Sequence, residues 1–286
     1  MTVALLVGLG LLIGLTLGAL GGGGSILTVP ALVYAVGESP RAATTSSLVI
    51  VGIAAAVATV GHARAGHVRW GAGLAFGAAG VAASFAGTAL NAHVDPSVLL
   101  VCFAVLMLVA AGAMLAKTMV HTHPEDDRDG VAYLAEADAL RRPRATLTQT
   151  RPRAAVGVRP RLSVALTVRV VLAGVVVGFL TGFLGVGGGF IIVPALVLTL
   201  KYEMPLAVGT SLLIISLNSG VALLARSGHQ SFHWNVIVPF TLAAIVGSTG
   251  GKRVADRVSA AQLTRAFAGL LLTVAVYVLA RALLGI

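Results

Sequence analysis

Residues 18–32 read GALGGGGSILTVPAL, and residues 182–196 read GFLGVGGGFIIVPAL. Both are glycine runs set inside apolar sequence, and both end in Val-Pro-Ala-Leu. A glycine in a helix interior costs about 1 kcal/mol relative to alanine. A run of them marks a place where the chain must turn sharply or let something approach its bare backbone.

The two stretches belong to a longer correspondence. A shift of 164 residues carries Gly18 onto Gly182, Pro30 onto Pro194, Trp70 onto Trp234, Phe76 onto Phe240, Ser84 onto Ser248, Phe103 onto Phe267 and Lys117 onto Arg281. With one residue of slippage, Thr45-Ser46 meets Thr210-Ser211. One offset held over the length of each half is an internal duplication, the pattern of many transporter folds.

The chain that carries this duplication is 57% hydrophobic and only 10% charged, against about 25% charged in a soluble domain. Its mean hydropathy is +0.97. Uncharged windows of roughly twenty residues recur along it, the length an apolar helix needs to span about 30 Å of hydrocarbon. Aromatic residues make up 5%, too few for the girdles of a membrane β-barrel. The expectation is an all-α polytopic protein of the plasma membrane. The net charge of +10 falls between apolar segments, as basic residues do in cytoplasmic loops and near anionic lipid. It is not a nucleic-acid footprint. The single cysteine, Cys102, lies in an apolar segment and reads as a packing residue. Val3 to Leu20 lacks a basic leader, and its counterpart recurs in mid-chain, so it reads as a retained segment and not a cleaved signal.

Three regions follow: a first membrane repeat over 1–118, a polar, arginine-rich cytoplasmic linker over 119–162, and a second membrane repeat over 163–286. The linker opens HTHPEDDRDG. Its histidines and acids have no metal-ligand spacing, so it reads as solvated chain. The apolar segments are 3–20, 25–36, 42–61, 71–91 and 97–116, then about 167–184, 189–200, 206–225, 234–250 and 264–280. The second segment of each half has about twelve residues, roughly 18 Å of helix, too short to cross. The simplest account is a re-entrant pair tipped by glycine, plus three transmembrane helices, in each half. Charge tests the parity. With the linker cytoplasmic and an odd number of crossings per half, Arg64, Arg69, Lys201, Lys252, Arg253, Arg257 and Arg265 lie inside, and only Arg41, Arg226 and Arg281 outside. An even number puts Arg41, Lys201, Lys252, Arg253, Arg257 and Arg265 outside, against the positive-inside bias. The halves are therefore expected to be inverted repeats.

On this reading the glycine runs have a purpose. A short helix begins after each, at Ser25 and at Phe190, and a helix start offers unpaired N–H groups and a positive dipole end to an anion. Two such starts converging near the midplane make a substrate site. Small-residue helix packing alone explains scattered glycines such as Gly8 and Gly14, but not four in a row. All ten acidic residues lie in the linker or near segment ends, whereas a cation pathway would set one at mid-span. The interior polar residues are hydroxyls and amides, which suit a small oxyanion. The candidate substrate-binding residues are Gly22, Gly23, Gly24, Ser25, Thr45, Ser46, Gly187, Gly188, Gly189, Thr210, Ser211 and Asn218.

Other polar residues read more plainly. His229 and His233 have i,i+4 spacing in loop-like sequence with no third ligand, and His62 and His67 likewise read as interfacial. Any of these could titrate and couple protons, a secondary reading. Trp70 and Trp234 read as interfacial anchors. No phosphate-binding loop appears, and no mid-segment His, Asp or Glu offers catalytic machinery. No enzyme activity and no cofactor are expected.

The duplicated glycine motif before Val-Pro-Ala-Leu (21–32 and 185–196), Gly-Thr-Ser at 209–211 with Thr-Thr-Ser at 44–46, and the two halves around a polar linker resemble the TauE/SafE family of membrane permeases. The resemblance covers the chain outside the linker. It implies secondary transport, mostly outward, of a sulfur-containing anion such as sulfite, sulfoacetate or another sulfonate. The expected partners are that anion and membrane lipid, in a monomer or homodimer. An anion channel, or a carrier of a carboxylate-type anion, is the alternative.

Overall fold

The computed structural model describes residues 3–91, 93–120, 164–184, 189–226 and 233–284. Among them are ten α-helices and no strand: α1 (Val3–Leu20), α2 (Gly23–Pro30, continued by a π-helical turn, Ala31–Ala35), α3 (Pro40–Arg64), α4 (Trp70–Asn91), α5 (Pro96–Val120), α6 (Val164–Leu184), α7 (Gly189–Leu198), α8 (Met204–Arg226), α9 (Trp234–Ala255) and α10 (Ala260–Leu284). The protein is an all-α polytopic membrane protein. Residues 121–162 of the linker, and His229, lie outside the described residues.

Local chemistry sets the boundaries. Gly21, at φ +76°, ends α1, with its N–H bonded to Leu17 O at 2.8 Å. A left-handed residue there turns the chain at once into α2, at no steric cost for glycine. Ser39 caps α3 by accepting from Ala42 N at 3.3 Å, and Pro40 fills the first turn, where its missing N–H costs nothing.

Among the described residues, eight helices are long and apolar enough to cross a membrane: α1, α3, α4, α5, α6, α8, α9 and α10. The entering arm of each glycine-tipped pair is thus itself of spanning length (α1 has 18 residues, α6 has 21). Sequence pattern assigns only three full spans per half beside the pair. The short returning arms are Gly23–Ala35 and Gly189–Leu198. Large aliphatic side chains stand exposed along the long helices, including Leu12, Val109, Leu172, Leu242 and Val246, a surface suited to hydrocarbon and not to water.

The halves interlock. α1 packs chiefly on α9, and α6 on α4. These two pairings are counterparts under the 164-residue shift, and so are the backbone contacts that make them. A Cβ on Gly14 would fall 2.1 Å from Ala244 O and one on Gly18 would fall 2.0 Å from Ser248 O. In the other pair, a Cβ on Gly178 would fall 2.1 Å from Gly80 O and one on Gly182 would fall 2.1 Å from Ser84 O. Helices in lipid associate through such close packing, because apolar burial gives little drive there. Gly8 takes no part; nothing lies within 4 Å of its would-be Cβ. The counterparts α3 and α8 pack on each other and run antiparallel. Gly52 lies against Ser219, with a would-be Cβ 3.0 Å from the serine Cβ, and Gly209 lies against His62 at 3.1 Å. The counterpart phenylalanines Phe76 and Phe240 are both fully buried.

Candidate functional site

The glycine-led starts of α2 and α7 meet. A Cβ on Gly22 would fall 1.9 Å from Gly189 O and 2.9 Å from Phe190 Cα. One on Gly189 would fall 2.2 Å from Ser25 Oγ. The start of α2 is therefore packed on the start of α7, backbone to backbone, an approach that only glycine permits at position 22. Gly21, Gly22, Gly23 and Gly24 are all buried. Gly23 faces Leu270 of α10, and Gly24 faces Ile13 O and Leu17 on α1. Of the second run, Gly189 is described; Gly187 and Gly188 lie outside the described residues.

Gly22, the N-cap of α2, has no side chain with which to cap the first N–H groups. Ser25, three residues on from its N-cap, turns its hydroxyl onto Gly22 O at 2.7 Å. The start of α2 thus presents the positive dipole end of a helix terminus.

The hydroxyl pairs separate into two groups. Ser211, on α8, lies against the first turn; a Cβ on Gly21 would fall 2.5 Å from its Oγ. That hydroxyl donates to Val208 O at 2.8 Å. Its neighbour Thr210 is fully buried and accepts from Arg69 N at 3.2 Å, which ties α8 to the α3–α4 connection. On α3, Thr45 and Ser46 are also buried. Ser46, however, donates to the Glu38 carboxylate at 3.4 Å, a partner that competes with any anion. Asn218 lies further along α8 than Ile215, whose Cδ1 touches Gly189. Its buried Oδ1 has no hydrogen-bond partner and faces Gly77 of α4.

Two groups that sequence pattern placed at segment ends prove to be internal. Glu38 lies on the connection between α2 and α3, yet its side chain is 4% exposed and pairs with His233 Nδ1 at 3.3 Å. The pair joins the first half to the start of α9. Its counterparts are Tyr202 and Arg69, and there burial pushes the Tyr202 phenol up while the charge of Arg69 pulls it down. The second group is His62. Its position near the end of a segment reads as interfacial, but it is 1% exposed, because α1, α8 and α9 close over it. Trp70 and Trp234 are exposed at helix starts, the place of interfacial anchors. Cys102 is exposed, not packed inside as its apolar segment suggested. Among the described residues, no group of three or more His, Cys, Asp or Glu is placed to hold a metal ion.

The family model described as "Sulfite exporter TauE/SafE" matches residues 6–278. The chain is similar to two proteins of Xylella fastidiosa, each named a probable membrane transporter protein. It is 30% identical to that of strain 9a5c and 32% to that of strain Temecula1, over 278 residues, 96% of this chain and 94% of each relative. It is 26% identical over 262 residues to the probable membrane transporter protein YunE of Bacillus subtilis, 88% of this chain and 87% of the relative. No solved structure matches.

Proposed function

Because the chain belongs to the sulfite exporter TauE/SafE family and is a multi-pass plasma-membrane transporter of that type, we propose that it exports a small sulfur-containing oxyanion, a sulfonate, sulfoacetate or sulfite, by alternating access around the paired starts of α2 and α7.

The observation that carries this reading is the meeting of the starts of α2 and α7 at Gly22, Ser25 and Gly189. Two positive dipole ends brought together repel unless something negative lies between or beside them. The chain itself supplies no such group there: residues 3–37 and 164–202 contain no Asp or Glu. An oxyanion with several acceptor oxygens answers both dipoles. Ser211, against the first turn, supplies a polar wall; Thr210 and Asn218 flank it on α8, and Thr45 and Ser46 hold the counterpart positions on α3.

The antiparallel packing of α3 on α8 supports inverted repeats as the source of alternation. On that reading Arg64, Arg69, Lys252 and Arg253 face the cytoplasm with the arginine-rich linker, and the Glu38–His233 pair faces the opposite side. The non-equivalent pairs, Glu38–His233 and Tyr202–Arg69, then close opposite ends of one path.

Counterflow tests the proposal. Liposomes containing the protein and loaded with unlabelled sulfite should take up labelled sulfite transiently above equilibrium, and sulfoacetate inside should serve as well. Absence of overshoot with sulfite, sulfoacetate and taurine alike contradicts it; flux without overshoot indicates a channel.

A further inference from the structure

We propose that His62 carries the proton that couples this transport to a proton gradient, and that on the cytoplasmic side it exchanges that proton at Nδ1 by way of His67. The proposal rests on the transport reading above.

Among the described residues, His62 is the one titratable side chain fully buried within a membrane-spanning helix. An ionisable group so enclosed in a membrane-spanning helix needs a functional reason. Its hydrogen bond settles its tautomer. Nε2 lies 3.1 Å from Gly18 O, and a carbonyl oxygen only accepts, so the ring proton resides on Nε2. The free lone pair of the neutral ring is then on Nδ1, which is buried without a partner. That atom is a base held ready and used by nothing else in the fold.

His67 provides the connection. Its ring centroid is 6.3 Å from that of His62, its backbone N–H bonds His62 O at 2.9 Å, and it is itself only partly buried. Its own Nδ1 is likewise buried without a partner. In the state open to the cytoplasm, His62 Nδ1 exchanges its proton with solvent by way of His67; in the state open to the opposite side the proton leaves the same atom to water, each transfer breaking one N–H or O–H bond as another forms.

The surroundings make the proton state matter to the anion. The groups facing His62 are His67 from the α3–α4 connection and Lys252 and Asp256 from α9. Lys252 packs its stem on Gly61 and pairs with Asp256 at 2.5 Å. α1 has no titratable residue, and that of α8, Arg226, lies at its far end. Arg64 and Arg69 are exposed. With Lys252 neutralised by Asp256, a proton on His62 adds an uncompensated positive charge one turn before the first glycine turn and beside Gly209 of the Gly-Thr-Ser motif. An anion at the turns relieves that charge, and the charge in return tightens the anion. Proton and anion therefore move together. A dianion moving with one proton still carries one negative charge, so an inside-negative potential continues to drive it outward.

The test uses sulfoacetate and sulfate in liposomes, because neither titrates between about pH 6 and 8, with the membrane potential clamped at zero. Wild type should exchange sulfoacetate at equal pH and accumulate it on the alkaline side of an imposed pH gradient. His62→Gln should exchange but lose at least nine-tenths of the gradient-driven accumulation. His67→Gln should exchange and accumulate several-fold more slowly. Accumulation by His62→Gln equal to wild type overturns the proposal, as does wild-type exchange indifferent to the gradient. Failure of wild type to exchange either anion, with sulfite also failing in counterflow, overturns the transport reading and this one with it. Should His62→Gln not fold, wild type alone decides: its affinity for sulfoacetate must strengthen, by up to tenfold per unit, as pH falls through the histidine range. A pH-independent affinity overturns the assignment.

Discussion

Gly22 and Gly189 lie backbone against backbone. The hydrogen that glycine carries at position 22 occupies a direction in which a Cβ would stand 1.9 Å from the Gly189 carbonyl oxygen. No rotamer change relieves such a contact, because both partners are main chain. Gly22→Ala should therefore lower stability by about 3 kcal/mol or more, at or beyond the upper range for overpacking. Gly23→Ala meets only the tip of Leu270 at 2.7 Å, a side chain that can rotate, and should cost much less. Gly112→Ala, which meets nothing within 4 Å, serves as the neutral reference. Thermal unfolding in detergent ranks the three.

The α1–α9 and α4–α6 pairings should fail alike. Gly14→Val and Gly178→Val each drive a side chain into a carbonyl 2.1 Å from the would-be Cβ. Their losses of melting temperature should agree closely, since the two positions are counterparts. A large loss at one site and little at the other would show that the packing symmetry is not energetic.

Much of this architecture was legible in advance, and particular residues show why. The duplication is carried by side-chain identities such as Trp70 and Trp234, and hydropathy marks spans because lipid admits little else. The helices before the glycine runs also end where the pattern places them, at Leu20 and Leu184; what pattern leaves open is whether a helix of that length, followed by one too short to cross, traverses the membrane or turns back. The candidate residues Gly22, Ser25, Gly189 and Ser211 come together because the starts of α2 and α7 pack on each other beside α8. Thr45 and Ser46 lie on another helix, and Ser46 is held by Glu38. Glu38 and His62 were misread because both stand near segment ends, where sequence implies solvent. Their burial is imposed by helices from the other half, His233 of α9 for Glu38 and α8 and α9 for His62, and no local pattern contains that.

Glu38 and His233 are unequal partners. The acid is 4% exposed and the imidazole 54%. Glu38→Ala strands the Ser46 hydroxyl and should cost about 1–2 kcal/mol. His233→Ala leaves a carboxylate that Ser46 still serves, and should cost about 1 kcal/mol or less. Glu38→Gln should lie between wild type and Glu38→Ala. Equal losses in Glu38→Ala and His233→Ala would show that the ion pair, and not the serine bond, is what matters.

Asn218 reports on the sign of the substrate. A carboxylate there, on the helix that packs against the starts of α2 and α7, repels a bound anion. Asn218→Asp should weaken sulfite binding several-fold, and Asn218→Ser far less. Binding of a cation strengthened by Asn218→Asp would reverse the account of the site.

The most direct test of the paired starts of α2 and α7 as an anion site is thermal stability of the purified protein with sulfite, sulfoacetate, taurine, sulfate, acetate and chloride. A ligand that binds only the folded state stabilises it by RT ln(1 + [L]/Kd). The account predicts stabilisation by sulfite or a sulfonate above acetate and chloride, rising with concentration and abolished by Gly23→Val, which presses a side chain beside the uncapped start of α2. Equal stabilisation of wild type and Gly23→Val, or none with any anion, would contradict it and leave the glycines as packing alone.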